Sequence, residues 1–170
     1  MTAFVSLLRA VNVGGRKLIM TELRGIADEL GLEDAGTFIA SGNLLFRTRR
    51  SEESVKALLE KAIGEHMGAD VPVMVRTAAE MAAAVTSNPF PDSPRAKVAA
   101  IFLDEAPPRD TIENAKNVAD ERMALGSREI YVAYHDGMGQ SKLQIPAAKT
   151  GTARNMNTVA KLAELLREME

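Results

Sequence analysis

The sequence predicts an α+β fold made of two ferredoxin-like, split βαβ halves closed by a C-terminal helix. Three observations carry this. Residues 1–86 read as strand, helix, strand, strand, helix, strand, which is the split βαβ order. A proline-dense stretch follows, and the residues after it repeat much of the same succession.

Residues 4–11 are large, apolar and partly β-branched and run into Asn12, Gly14 and Gly15, so they read as a strand leaving into a tight loop. From Thr21, an expected N-cap, Leu23, Ile26, Ala27 and Leu30 recur at helical spacing until Gly31 stops them. Residues 37–40 and 44–48 are short strands, and Ser41-Gly42-Asn43 between them has the residue types that tolerate a hairpin turn. Ser51 caps the next helix. Glu52 and Glu53 suit the positive end of its dipole, and Val55, Leu58, Leu59, Ala62 and Ile63 make its apolar stripe before Gly68. Residues 71–75 form a strand with Pro72 near its start, where a missing N–H does least harm.

A short helix over residues 78–86 leads into Pro89, Pro91 and Pro94. Residues 87–94 are therefore the expected connection between halves 1–86 and 95–170, the alternative being one compact domain overall. The second half predicts a strand at 98–103, a helix at 111–118, a hairpin from 121–125 and 129–134 around Gly126 and Ser127, and a closing helix at 159–169. The loop 135–150 is long, and such loops are often functional. The duplication is one of structure, without a repeat of sequence.

With 170 residues and 46% hydrophobic content the chain can bury a proper core. It has no cysteine, which excludes disulfides, thiolate metal sites and a thiol nucleophile, and permits a reducing compartment. The expected location is the cytoplasm. The apolar run from Ala3 to Leu8 has no preceding Lys or Arg and is too short for a signal-peptide core, and no stretch has membrane length. A formal charge of −2 argues against a surface given over to nucleic acid. Basic character is local: residues 1–21 hold Arg9, Arg16 and Lys17, residues 137–162 hold Lys142, Lys149, Arg154 and Lys161, and neither stretch contains an acid.

Three polar clusters sit where apolar segments begin or end. The first is Arg9, Asn12, Gly14, Gly15, Arg16 and Lys17, the second Ser41, Gly42 and Asn43, and the third runs from Gly151 through Thr152, Arg154, Asn155 and Asn157 to Thr158. Strand ends and helix starts expose backbone N–H groups, so Asn, Gly and Arg there suit the grip of an anion. In a split βαβ unit the first two strands are parallel, with the third antiparallel between them. Their exit loops then share one edge about two strand spacings, roughly 10 Å, apart. Turn chemistry alone also accounts for each cluster taken singly. For the third, either Thr152 caps the closing helix and puts Arg154 in its first turn, against the dipole unless an anion compensates, or Asn157 is the cap and Arg154 is a loop residue.

Familiar chemistries do not fit. Gly14-Gly15-Arg16-Lys17 lacks the spacing of a phosphate-binding Walker loop, and no Gly-x-Gly-x-x-Gly follows a strand. His66 and His135 lack a metal-ligand spacing, with His66 at a helix end and His135, beside Asp136, the better catalytic candidate. No serine lies in a nucleophile elbow. No motif names a cofactor, a metal or an oligomeric state.

The segments Leu7 to Gly15, Thr37 to Asn43, Asn88-Pro89-Phe90, Ser141-Lys142-Leu143 and Thr152 to Val159 resemble, in this order and spacing, the bacterial family known as domain of unknown function 1697. The resemblance spans nearly the whole chain and implies an α+β fold of two related halves, with no established reaction. Where that family pattern places Trp between the two Asn residues of the last motif, this chain has Met156. Met156 shares helical spacing with Val159, Ala163 and Leu166, which favours a packing role over a stacking one.

The expected function is binding of a small anionic ligand, phosphorylated or nucleotide-like, at the strand-end loops. The candidate residues are Arg9, Asn12, Gly14, Gly15, Arg16, Ser41, Gly42, Asn43, Lys142, Thr152, Arg154, Asn155 and Asn157. The alternatives are an RNA-binding ferredoxin-like module and an assembly protein whose clusters only cap elements. RNA binding is disfavoured by 4% aromatic content and by strands apolar on both faces.

Overall fold

The structure, a computed structural model, describes residues 1–9, 17–39 and 42–170. It divides into two compact units: Met1–Glu80 with Leu162–Glu170, and Met81–Lys161.

In the first unit, β1 (Thr2–Leu8), α1 (Met20–Glu29), β2 (Glu33–Phe38), β3 (Asn43–Thr48), α2 (Glu52–Met67) and β4 (Val73–Thr77) form a four-stranded sheet in the order β2-β3-β1-β4. Each neighbouring pair is antiparallel. β1 and β2, both antiparallel to β3, are therefore parallel to each other, as the split βαβ pattern requires. Strand alternation places Phe4, Leu8, Leu44, Phe46, Val73 and Val75 in one core with Leu23 and Ala27 of α1 and Val55, Leu59 and Ile63 of α2. The rings of Phe4 and Phe46, which face each other across β1 and β3, lie 5.9 Å apart. The opposite face, with Val5, Leu7, Asn43, Leu45, Met74 and Arg76, is buried as well.

Local chemistry sets the boundaries. Ser51 accepts a hydrogen bond from the N–H of Ser54 and caps α2, which ends at Gly68 in the left-handed conformation. α1 opens one residue before the expected cap Thr21. Ile19 holds the N-cap position without a side-chain bond, so packing of Leu23 and Ala27 defines this helix more than capping does. β2 starts earlier than its apolar residues indicate, because pairing with β3 recruits Glu33 through Gly36. A bulge between Glu33 and Gly36, with Asp34 at φ 53°, absorbs the irregularity. At the free side of β4, Glu60 accepts from the N–H of Val73 at 3.0 Å and Lys56 donates to the Val73 carbonyl at 2.7 Å, satisfying polar groups that an edge strand otherwise exposes. β4 passes directly into α3 (Ala78–Thr86) through a reciprocal capping box between Thr77 and Glu80.

The second unit contains β5 (Val98–Phe102), β6 (Arg122–Leu125), β7 (Glu129–Ala133) and β8 (Thr152–Asn155) in the order β6-β7-β5-β8, again antiparallel throughout. This repeats the first sheet strand for strand, with β5 in the place of β1 and β8 in that of β4. The crossovers differ. The helix expected at 111–118 is absent: the segment makes single turns, such as Asn114 N–H to the Asp110 carbonyl, and then bridges Lys116 to Gln144. Eight residues ending near Asn117, at φ 58°, do not recover the cost of helix nucleation. Besides the bridge at Gln144, the loop 135–150 holds two 3-10 turns, Met138–Gln140 and Pro146–Thr150. It packs Ile145 and Leu143 with Ile101, Ile130 and Val132.

The last cluster behaves differently from both expectations. Residues 152–155 form β8 beside β5, and neither Thr152 nor Asn157 caps the final helix, α4 (Met156–Met169). Asn155 does so, its Oδ1 accepting from the N–H of Thr158. The boundary between units falls inside two helices, at Glu80/Met81 in α3 and at Lys161/Leu162 in α4.

Candidate functional site

The candidate site is the rim of the first sheet where β1 and β2 end. The N–H of Leu8 donates to the Gly42 carbonyl at 2.9 Å, and Leu7 faces Asn43 across the β1–β3 ladder. One residue further, the N–H of Arg9 donates to the carbonyl of Pro72 at 3.0 Å. The exit of β1, the β2–β3 turn and the lead-in to β4 thus meet. α1, the crossover between the parallel β1 and β2, runs back across the sheet and so opens on the same side, with Lys17 exposed just before it.

Within this rim Arg9 is half-buried. Gly42 has φ 81°, which a side chain would resist. Asn43 is fully buried, and its Nδ2 donates to the Phe38 carbonyl at 3.0 Å, closing the turn. Asn12, Gly14, Gly15, Arg16 and Ser41 lie outside the described residues.

Two exposed side chains at the rim were not singled out by sequence: Ile39, half exposed at φ 52°, and Ile19, 58% exposed, immediately before α1. Their apolar character fits a strand end and a helix start in any sequence. Only the backbone angle and the exposure distinguish them.

The second unit places the remaining candidates by themselves. Arg154 lies on β8, only 7% exposed, donating to Thr152 Oγ1 at 2.8 Å and to the Ala153 carbonyl at 3.0 Å. Burial pushes its pKa down to about 10, which still leaves the guanidinium charged at neutral pH. Thr152 is buried too, Asn155 caps α4, and Asn157 is exposed.

Lys142 is exposed on a cleft of about 370 Å³ whose lining includes Glu121, Tyr134, His135, Asp136 and Ser141. Ser141 donates to Glu121 Oε2 at 2.7 Å and the Ala119 N–H to its Oε1, which together hold the Glu121 carboxyl below the usual range. Desolvation, and secondarily the Glu121 charge, pushes the Tyr134 hydroxyl up. With its hydroxyl committed to Glu121, Ser141 is not positioned as a nucleophile activated by His135. Asp120, Glu121 and Asp136 outnumber Lys142 around this cleft, so its field opposes an anion. Among the described residues no group of His, Asp and Glu side chains is arranged to hold a metal ion, and no helix is long and apolar enough to cross a membrane.

A parallel strand pair whose ends share one rim, followed by a second sheet of the same strand order, defines an α+β protein of two related halves. The chain belongs to the family described as Protein of unknown function (DUF1697), whose model matches residues 1–131. That stretch includes the first two polar clusters and stops before the third. The fold is similar to that of the conserved bacterial protein SP0830 from Streptococcus pneumoniae, at 24% sequence identity and a TM-score of 0.78, covering 97% of this chain and 98% of that one. No curated protein matches the chain.

Proposed function

We propose that the protein binds a small anionic ligand, phosphorylated or nucleotide-like, at the rim where β1 and β2 end. The observation that supports this most is the Leu8 N–H to Gly42 carbonyl bond, which brings the exits of the two strands together. Arg9, Arg16 and Lys17 belong to a stretch without an acid, and Gly14, Gly15 and Gly42 allow backbone N–H groups to approach a ligand closely. Thr152, Arg154 and Asn155 are engaged within their own unit and are not required. RNA binding by base stacking on the sheet has less support, because Phe4 and Phe46 are buried.

Thermal unfolding with and without inorganic phosphate, ribose 5-phosphate and mononucleotides tests the proposal. At a ligand concentration 100 times Kd, stabilisation of about 2.7 kcal/mol is expected. It should fall in Arg16→Ala and Asn12→Ala and persist in Lys142→Ala. No stabilisation by any of these compounds at millimolar concentration would refute the proposal.

A further inference from the structure

We propose that a groove in the second unit, where the segment 111–118 meets the loop 135–150, binds an organic anion: a carboxylate on an alkyl or aryl body. The groove has a volume of about 410 Å³ and is lined by Lys116, Gln144, Ile145, Pro146, Ala148 and Lys149. All six residues belong to the second unit, so the site is independent of the rim.

Two local structures bring these side chains together. Lys116 and Gln144 form an antiparallel bridge, the Lys116 N–H donating to the Gln144 carbonyl at 2.8 Å and the Gln144 N–H to the Lys116 carbonyl at 2.9 Å. Directly opposed residues of such a pair point to the same side. Their neighbours Ala115 and Ile145 pack into the apolar core of the unit, which leaves Lys116 and Gln144 on the exposed side. Further along, the 3-10 turn Pro146–Thr150 is held by the Ala148 N–H donating to the Ile145 carbonyl at 2.9 Å. Residues three apart eclipse in a 3-10 turn, so Lys149 stands over Pro146. The outcome is a concave surface that joins apolar Ile145, Pro146 and Ala148 to two lysines.

Charge decides the class of ligand. Among the described residues no acidic side chain lines the groove, and neither Lys116 nor Lys149 has an acidic partner for its ammonium group. The cleft at Tyr134, in the same unit, is bordered by Asp120, Glu121 and Asp136 and has the opposite field. Lysine stems lie along apolar surface while their charged heads stay in water, which suits a ligand with an apolar body and an anionic end. Pro146 has no N–H to offer, so the anionic head depends on the two ammonium groups and the Gln144 amide. These donors are enough for the two oxygens of a carboxylate.

The test is a titration of the 15N-labelled whole chain with hexanoate, acetate and hexylammonium, read at the backbone amides of Lys116, Gln144, Ile145 and Lys149. Hexanoate should shift these signals along saturable curves. Acetate should bind roughly tenfold more weakly, because it leaves the apolar surface uncovered, and hexylammonium, of like length and opposite charge, should leave them still. Lys116→Gln and Lys149→Gln, both on exposed side chains, should each weaken hexanoate binding by about threefold, with Lys142→Gln unchanged. Silence of these amides with hexanoate, equal affinity for acetate or hexylammonium, or hexanoate binding unaltered in both lysine variants overturns the proposal. Tighter binding of a tetraglutamate peptide than of hexanoate overturns it in favour of a protein partner. None of these outcomes bears on the rim, which is read at Leu8, Gly42 and Asn43.

Discussion

Asn43 is a side chain whose type was readable from sequence and whose main task was not. Ser41-Gly42-Asn43 signals a turn, yet only the structure shows the Asn43 amide wholly buried and holding the Phe38 carbonyl. Asn43→Ala removes a buried amide and leaves the part-buried Phe38 carbonyl short of a partner, and should cost about 1–3 kcal/mol in denaturant unfolding, whether or not a ligand is present. A loss of ligand binding in that variant therefore says little about recognition, and Arg16 is the better probe. Arg154 is the converse case. Its charge in a polar cluster suggests an anion ligand, whereas β8 carries it into a buried position that a sequence window of four residues cannot reveal. Tyr131 and Arg154 also give the molecule an alkaline signature. Desolvation, reinforced by Glu129, pushes the Tyr131 hydroxyl up to about 12 from 10.0, and the hydroxyl donates to the Ala84 carbonyl. Its contribution is intact below pH 10 and is lost as pH rises from 10 to 12, by about 2–3 kcal/mol. Arg154, with a folded value near 10 against 12.5, works in the opposite sense, and stability rises over that window as the unfolded chain gives up its preference for the proton. The two partly offset each other. Tyr131→Phe should lessen the fall, leaving the smaller contribution of Tyr134, and its stability profile from pH 9 to 12 should lie flatter than the wild-type profile.

Elements with strong local signals were legible and those defined by partners were not. α2 has Ser51, its acidic first turn, its apolar stripe and Gly68, and all four appear where the sequence puts them. Ser51→Ala should lower stability by about 1 kcal/mol through loss of the cap. β8 has no such signature. Four residues with three polar side chains become a strand because β5 offers an open edge. The residue before it matters more than its composition indicates. A Cβ on Gly151 would stand 2.7 Å from the Phe102 carbonyl oxygen and 2.7 Å from Leu103 Cδ2, and the first of these is backbone that cannot turn aside. Gly151→Ala should therefore destabilise by about 1–3 kcal/mol and broaden the signals of β5 and β8. The segment 111–118 failed as a helix for the complementary reason: periodicity without caps over two turns is outcompeted by the bridge to Gln144.

For the molecule as a whole, topology was the most readable level. The order of strands and helices predicted that β1 and β2 run parallel, and antiparallel pairing of each with β3 bears this out. The repetition of strand order in the second sheet was visible only as an echo, since its connections are turns where the first unit has helices. The binding proposed at the rim rests on that topology and on nothing in the second unit, so its location can be tested directly. Backbone amide shifts of the 15N-labelled protein, followed as inorganic phosphate is added, should move for Leu8, Arg9, Lys17, Gly42 and Asn43 along saturable curves, with Thr152 to Asn157 unaffected. Saturable shifts confined to Thr152–Asn157 or to the cleft around Tyr134, with the rim silent, would contradict the account.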